Sequence, residues 1–346
     1  MILDFTGTSI DSLYIHKVGN KLTDEGVFLS KKEIVVNDEL KSLLVHYFVS
    51  PFKSDEFFNF YHDIDMSMNE VFVCVSEALN NKDSLYEQSV NFAGHLYENS
   101  IHPKIKGGEF YTVLFNDCVV DGEIVNAIGL FKSENKDTFL KVFPSEDEFG
   151  VESEKGININ KLDKGCLIFN TEKENGFIVA VVDNTGKGAD AQYWTDDFLH
   201  VRQRKDEYYN THNVLSLCKN FVKEELPQQF EVSKADQVDF LNRSVQFFKE
   251  NDNFNLDEFA NEVINQPEII KSFNNYKSSY QQDYDIEIAD DFLISESAVK
   301  KQARAFKSVI KLDKNFHIYI HGNRELIEQG EDNKGRFYKV YYKEES

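Results

Sequence analysis

Five short β-rich runs, at residues 109–115, 125–132, 138–143, 165–169 and 177–182, constrain the fold of this chain more than any other feature. Gly, Asn and Asp residues separate them, and strands joined through such turns favour a largely antiparallel sheet. Helical spacing precedes the strands. Asn37 is placed to cap a helix carrying Leu40, Leu43, Leu44, Tyr47 and Phe48, and residues 83–99 repeat that pattern. These helices are expected to cover one face of the sheet.

Past residue 211 the pattern becomes helical with clear punctuation. Ser233 precedes Asp236 and Asn255 precedes Glu258, each approximating a cap followed by an acid, and Pro267 suits a first helical position. Val238, Leu241, Val245 and Phe248 form one apolar stripe. From residue 286 the chain returns to a strand, a basic helix and strands, with turn residues at Asp313-Lys314-Asn315 and again at Asp332-Asn333-Lys334-Gly335. The predicted fold class is therefore α+β: a mostly antiparallel sheet with covering helices, a helical middle region and a C-terminal β-α-β-hairpin unit. The corresponding domains are residues 1–205, 206–285 and 286–346.

Thirty Phe and sixteen Tyr among 346 residues supply a large core. No apolar run approaches the ~18–20 residues that span a bilayer, and the first residues lack the pattern of a signal peptide, so a cytoplasmic protein without a membrane partner is expected. Cys74, Cys118, Cys166 and Cys218 form no CxxC pair and read as reduced core thiols.

Charge is distributed unevenly. The net charge is −22, yet residues 300–324 carry Lys300, Lys301, Arg304, Lys307, Lys311, Lys314 and Arg324 against Asp313 alone, a local +6 on a remainder of −28. Ser295 is placed to cap a helix on which Lys300, Arg304 and Lys307 share one face, with Val299, Ala303 and Phe306 opposite. Lys311 and Lys314 would continue that cationic face. His317, Tyr319 and His321 would form a separate row on one side of a strand. Either the strip contacts a polyanion or it is a solvated surface. The acidic remainder argues against coating DNA through distributed positive charge, so any nucleic-acid contact is local.

Nucleotide and hydrolase signatures are absent. Gly107-Gly108 and the loop at 184–188 lack Walker spacing, and there is no GxGxxG, HExxH or GxSxG. Glu109, Asp117, Asp121, Glu123 and Lys132, with Glu134, would suit Mg²⁺-dependent phosphodiester cleavage if a hairpin gathered them, although acids at hairpin turns are ordinarily solvated. Asn158, Asn160, Lys161, Asp163 and Lys164 either recognise phosphate or sugar oxygens or satisfy a loop backbone. Trp194 is expected to fill the core.

Several stretches taken together resemble the bacterial nucleoid-associated protein family of the YejK/NdpA type, in its Bacteroidetes-branch form. They are IHKVGNK (15–21), HPKIKGGE (102–109), AIGLFKSE (127–134), GININKLDKGCLIFN (156–170), AQYWTDDFL (191–199) and KSVIKLDKNFHIYIHGN (307–323). The resemblance implies a cytoplasmic, nucleoid-located protein that binds nucleic acid, with no established enzymatic reaction; it implies no defined catalytic site, and no cofactor is expected. It carries over no specific binding residues. The site therefore rests on the charge pattern: Lys300, Lys301, Arg304, Lys307, Lys311, Lys314 and Arg324 would hold DNA backbone phosphates with low sequence specificity. RNA is an alternative ligand. The alternative roles are an interaction module reaching the nucleoid through a DNA-bound protein, with the basic strip serving a homodimer, and a Mg²⁺-dependent nuclease.

Overall fold

A long hairpin organises the first half of the chain. In the computed structural model, which describes all residues except 54, 186–192, 304–308, 313, 315, 320–325, 343 and 345–346, strands β5 (Gly108–Val120) and β6 (Glu123–Ser133) pair antiparallel. Their two-residue turn, Asp121-Gly122, has φ of 48° and 87°, the left-handed pair that a tight hairpin requires. The Asp121 carboxylate accepts from the Ile2 N–H at 2.6 Å and so anchors the chain start to the turn.

Around this hairpin the expected antiparallel sheet assembles, with nine strands among the described residues. Its other strands are β1 (Leu3–Asp4), β2 (Ser9–Val18), β3 (Val27–Phe28), β4 (Phe57–Phe60), β9 (Lys164–Phe169), β10 (Ile178–Asp183) and β11 (Val201–Gln203). The order is β11-β4-β10-β9-β6-β5-β2-β3, with β1 paired to the end of β5. Strands β7 (Asp137–Ser145) and β8 (Glu148–Gly156) form a hairpin outside the sheet.

Helices cover both faces of the sheet, not one. Helix α1 (Asp38–Val49), capped by the Asn37 side chain on the Leu40 N–H at 2.9 Å, packs Tyr47 and Phe48 against Tyr111, Val113 and Phe131. Helices α2 (Glu70–Asn80) and α3 (Leu85–Glu98), with a π-type helical segment at Tyr193–Leu199, bury the other face against Phe110, Leu130, Ile168 and Val179. The reason lies in the central strands: β9 is buried at every residue, so neither side of it tolerates water. Phe131 stacks on Phe48 at 4.3 Å and lies over Gly165, where a Cβ would come within 2.7 Å of the ring. Glycine at that position admits the ring directly opposite it on the neighbouring strand. Trp194 is fully buried beside Phe198 at 4.9 Å.

The chain divides into two compact units, Met1–Arg204 and Lys205–Ser346. In the second, helix α4 (Glu207–Asn220) runs through a π-type turn at Phe221–Glu225. Helix α5 (Lys234–Glu250) opens on a capping box in which Ser233 and Asp236 satisfy each other's backbone N–H groups. Leu241, Val245 and Phe248 of its stripe join a phenylalanine-rich core with Phe221, Phe259 and Phe273, and Val238 packs with Ile310 and Ile327. Helix α6 (Pro267–Asp283) begins on its proline, and β12 (Asn253–Asn255) pairs with β13 (Asp291–Leu293). After α7 (Glu296–Ala303) come two hairpins, β14 (Val309–Leu312) with β15 (Phe316–Tyr319), and β16 (Ile327–Asp332) with β17 (Gly335–Val340).

Candidate nucleic-acid interface

Alternation in the β14–β15 hairpin sends Ile310, Leu312 and Ile318 inward, against Ala235 and Val238 of α5. The same alternation leaves Lys311 and His317 outward, directly opposite each other across the strands, with Tyr319 two residues on. All three are exposed, Tyr319 to 65%, and Lys314 projects from the connecting turn. Lys311 therefore shares its face with His317 and Tyr319. Strand pairing, not helical spacing, sets its direction.

On α7 the inner face consists of Ala298, Val299 and Gln302, all buried, with the Gln302 amide donating to Ser216 Oγ at 3.2 Å. Lys300 points outward and pairs with Glu296 one turn earlier at 2.9 Å. That contact holds the Glu296 carboxyl below its ordinary value. Lys301 donates to the Tyr208 hydroxyl at 2.8 Å and lies over its ring. Both helix lysines thus have partners within the fold. Arg304, Lys307, Arg324 and His321 lie outside the described residues.

The acid-lysine group considered for phosphodiester cleavage does not come together. Glu109 and Lys132 lie near the same end of the β5–β6 hairpin but on opposite faces, since Lys132 pairs across from Phe110 while Glu109 stands opposite Ser133. Glu123 is nine residues from Lys132 along β6, about 30 Å at ~3.3 Å per residue. Asp121 belongs to the distant turn, and Asp117 marks a bulge with φ of 59°. Glu109 instead pairs with Lys136 at 2.6 Å. Among the described residues no group of three or more His, Cys, Asp or Glu is placed to hold a metal ion.

Lys132 enters a buried polar cluster that local sequence patterns do not reveal. Its ammonium lies 3.0 Å from Glu134 Oε1 and 3.4 Å from the Tyr193 hydroxyl, which donates to the same carboxylate at 2.8 Å. Lys164, equally buried and directly across the strands from Lys132, pairs with Asp183 at 2.6 Å and lies 5.0 Å from the Tyr193 ring centroid. Burial lowers the Lys132 pKa against the opposing pull of Glu134, and burial together with Glu134 raises that of Tyr193. The only signal available in the sequence was lysine ending an apolar strand, at 132 and again beginning one at 164.

The loop before β9 is occupied by contacts within the fold. Asp163 accepts from the Glu134 and Asn135 N–H groups at 2.6 and 2.8 Å, while Asn158 and Lys161 both bind Asp137 at 2.9 Å. An open groove of about 590 Å³ between α2 and α3, floored by Val71, Cys74 and Val90, has Glu70 and Glu98 at its edge and so disfavours phosphate.

The sequence pattern of the family described as nucleoid-associated protein YejK matches residues 15–336, nearly the whole chain. The chain belongs to this family. Membership places it among nucleoid-associated proteins, and the match takes in both compact units, including the β14–β15 hairpin. No curated protein matches the chain.

Proposed function

We propose that this nucleoid-associated protein binds DNA through backbone phosphates with low sequence specificity, and that its role is binding rather than catalysis. The contact is the C-terminal basic strip of Lys300, Lys301, Arg304, Lys307, Lys311, Lys314 and Arg324. Its described centre is the outer face of the β14–β15 hairpin. The observation that carries this reading is the exposed Lys311–His317 pair with Tyr319 beside it, on a hairpin anchored through its opposite face. A cation and an aromatic ring on one strand face suit a phosphate and, where the neighbouring base is unpaired, that base. Lys300 contributes only if a phosphate displaces Glu296, so the hairpin carries more of the contact than charge alone would assign.

Binding of the purified chain to a mixed-sequence duplex, followed by fluorescence anisotropy as salt is raised, tests this. Neutralising six phosphates gives a slope of log affinity against log salt of about −5. Lys311→Glu/Lys314→Glu should weaken binding and flatten the slope by about 2. Unchanged affinity in that variant, or a salt-independent interaction, rejects the strip. A chain that fails to bind DNA when pure yet stays on the nucleoid in cells would instead be held by a DNA-bound protein. Competition with single-stranded RNA distinguishes the two nucleic acids.

A further inference from the structure

The β7–β8 hairpin projects an apolar face into solvent. The register places Leu140 across from Ser153, Val142 across from Val151 and Pro144 across from Phe149, all on one side. Leu140 is 73% exposed, Val142 61%, Phe149 75% and Val151 63%. On the other side Phe143 closes over Gly150 and Phe139 over Gly156, so the hairpin supports itself from that side only. An isolated two-stranded ribbon is marginal in water, and contiguous apolar surface of this kind marks an interaction site.

The arm's charges identify what covers it. From 137 to 156 it carries six acids and two lysines, a net −4, which excludes DNA. The charge is also polarised along its length. Glu146, Asp147 and Glu148 lie at the tip, whereas the root carries Lys155 on the apolar face, with Glu152 and Glu154 on the opposite side. Two such arms packed face to face and antiparallel would bury the apolar middles against each other. Each acidic tip would then meet the other's Lys155. This is a self-complementary, twofold contact.

The geometry points to the β7–β8 arm as a homodimerisation element, with the apolar face of Leu140, Val142, Phe149 and Val151 seated antiparallel on the same face of a second copy. The inference is independent of the DNA contact.

Sedimentation velocity of the nuclease-treated full chain over a range of concentrations tests it. A reversible monomer–dimer equilibrium is expected. Leu140→Ser/Phe149→Ser should leave a monomer with unchanged circular dichroism and melting temperature, because both side chains are exposed. Lys155→Glu should weaken the dimer at least tenfold, and adding Glu146→Lys/Asp147→Lys should restore it. A wild-type chain that stays monomeric, a dimer indifferent to Leu140→Ser/Phe149→Ser, or failure of the charge exchange to restore association overturns the proposal.

Discussion

Lys132 and Glu134 face one another inside the first unit, Nζ 3.0 Å from Oε1, with the lysine fully buried and the carboxylate nearly so. Removing one member of such a pair strands the other's charge in a poorly solvating interior, which typically costs about 3–5 kcal/mol. Lys132→Met is expected to destabilise the chain by that order in urea denaturation. Lys132→Met/Glu134→Gln should be less destabilised than the sum of the single variants by more than about 1 kcal/mol. Strict additivity would show that the two side chains do not act as a unit.

Phe48 is the point at which α1 holds the second face of the sheet. Its ring stacks on Phe131 at 4.3 Å and meets Tyr111 edge-on at 5.4 Å. Phe48→Ala should cost about 3–5 kcal/mol, the usual range for deleting a core aromatic. A loss no larger than that of an exposed substitution would argue that α1 does not cover the sheet.

The strands were legible because turn residues bound them, and the caps at Asn37 and Ser233 because a side chain meets its own helix three residues on. The second helical layer was legible only indirectly, in the unbroken apolar character of AIGLF and KGCLIF, whose glycines admit the Phe131 ring. The buried cluster was not: Lys164 meets Asp183 across β9 and β10, and Lys132 meets Tyr193 of the π-type segment, 61 residues away, through tertiary packing that no local pattern encodes. In the candidate interface, the Glu296–Lys300 pair follows from i,i+4 spacing. The opposition of Lys311 and His317 depends on the hairpin register.

Buried thiols and phenols make stability fall at alkaline pH. Burial pushes Cys74 and Cys118 up to about 11 and Cys218 up to about 12, from an ordinary 9.0, and Tyr47 and Tyr276 up to about 12 from 10.0. The unfolded chain releases these protons first, so their contribution is complete below pH 9 and is lost progressively as pH rises through the folded values. Lys132, lowered by burial, acts with the opposite sign, gaining stability as pH climbs toward its ordinary 10.5. Five raised groups stand against this one lowered group. The melting temperature should therefore decline above about pH 9, and Cys118→Ala should blunt the onset. A melting temperature that rises between pH 9 and 11 would contradict this assignment.

Tyr319 separates stacking from simple charge attraction in the proposed interface. Its ring is exposed on the same hairpin face as Lys311 and His317, whereas Ile310 and Ile318 hold the hairpin from behind. A ring beside a phosphate-binding lysine can stack on an unpaired base, at about 1–3 kcal/mol per base, but has no such partner in an intact duplex. Tyr319→Ala should weaken binding to a single-stranded oligonucleotide about tenfold or more while changing duplex affinity little. Tyr319→Phe should preserve both. Lys311→Ala should weaken the two ligands alike and reduce both salt slopes by about 1. Equal losses on both ligands from Tyr319→Ala would exclude stacking and leave phosphate attraction as the hairpin's contribution.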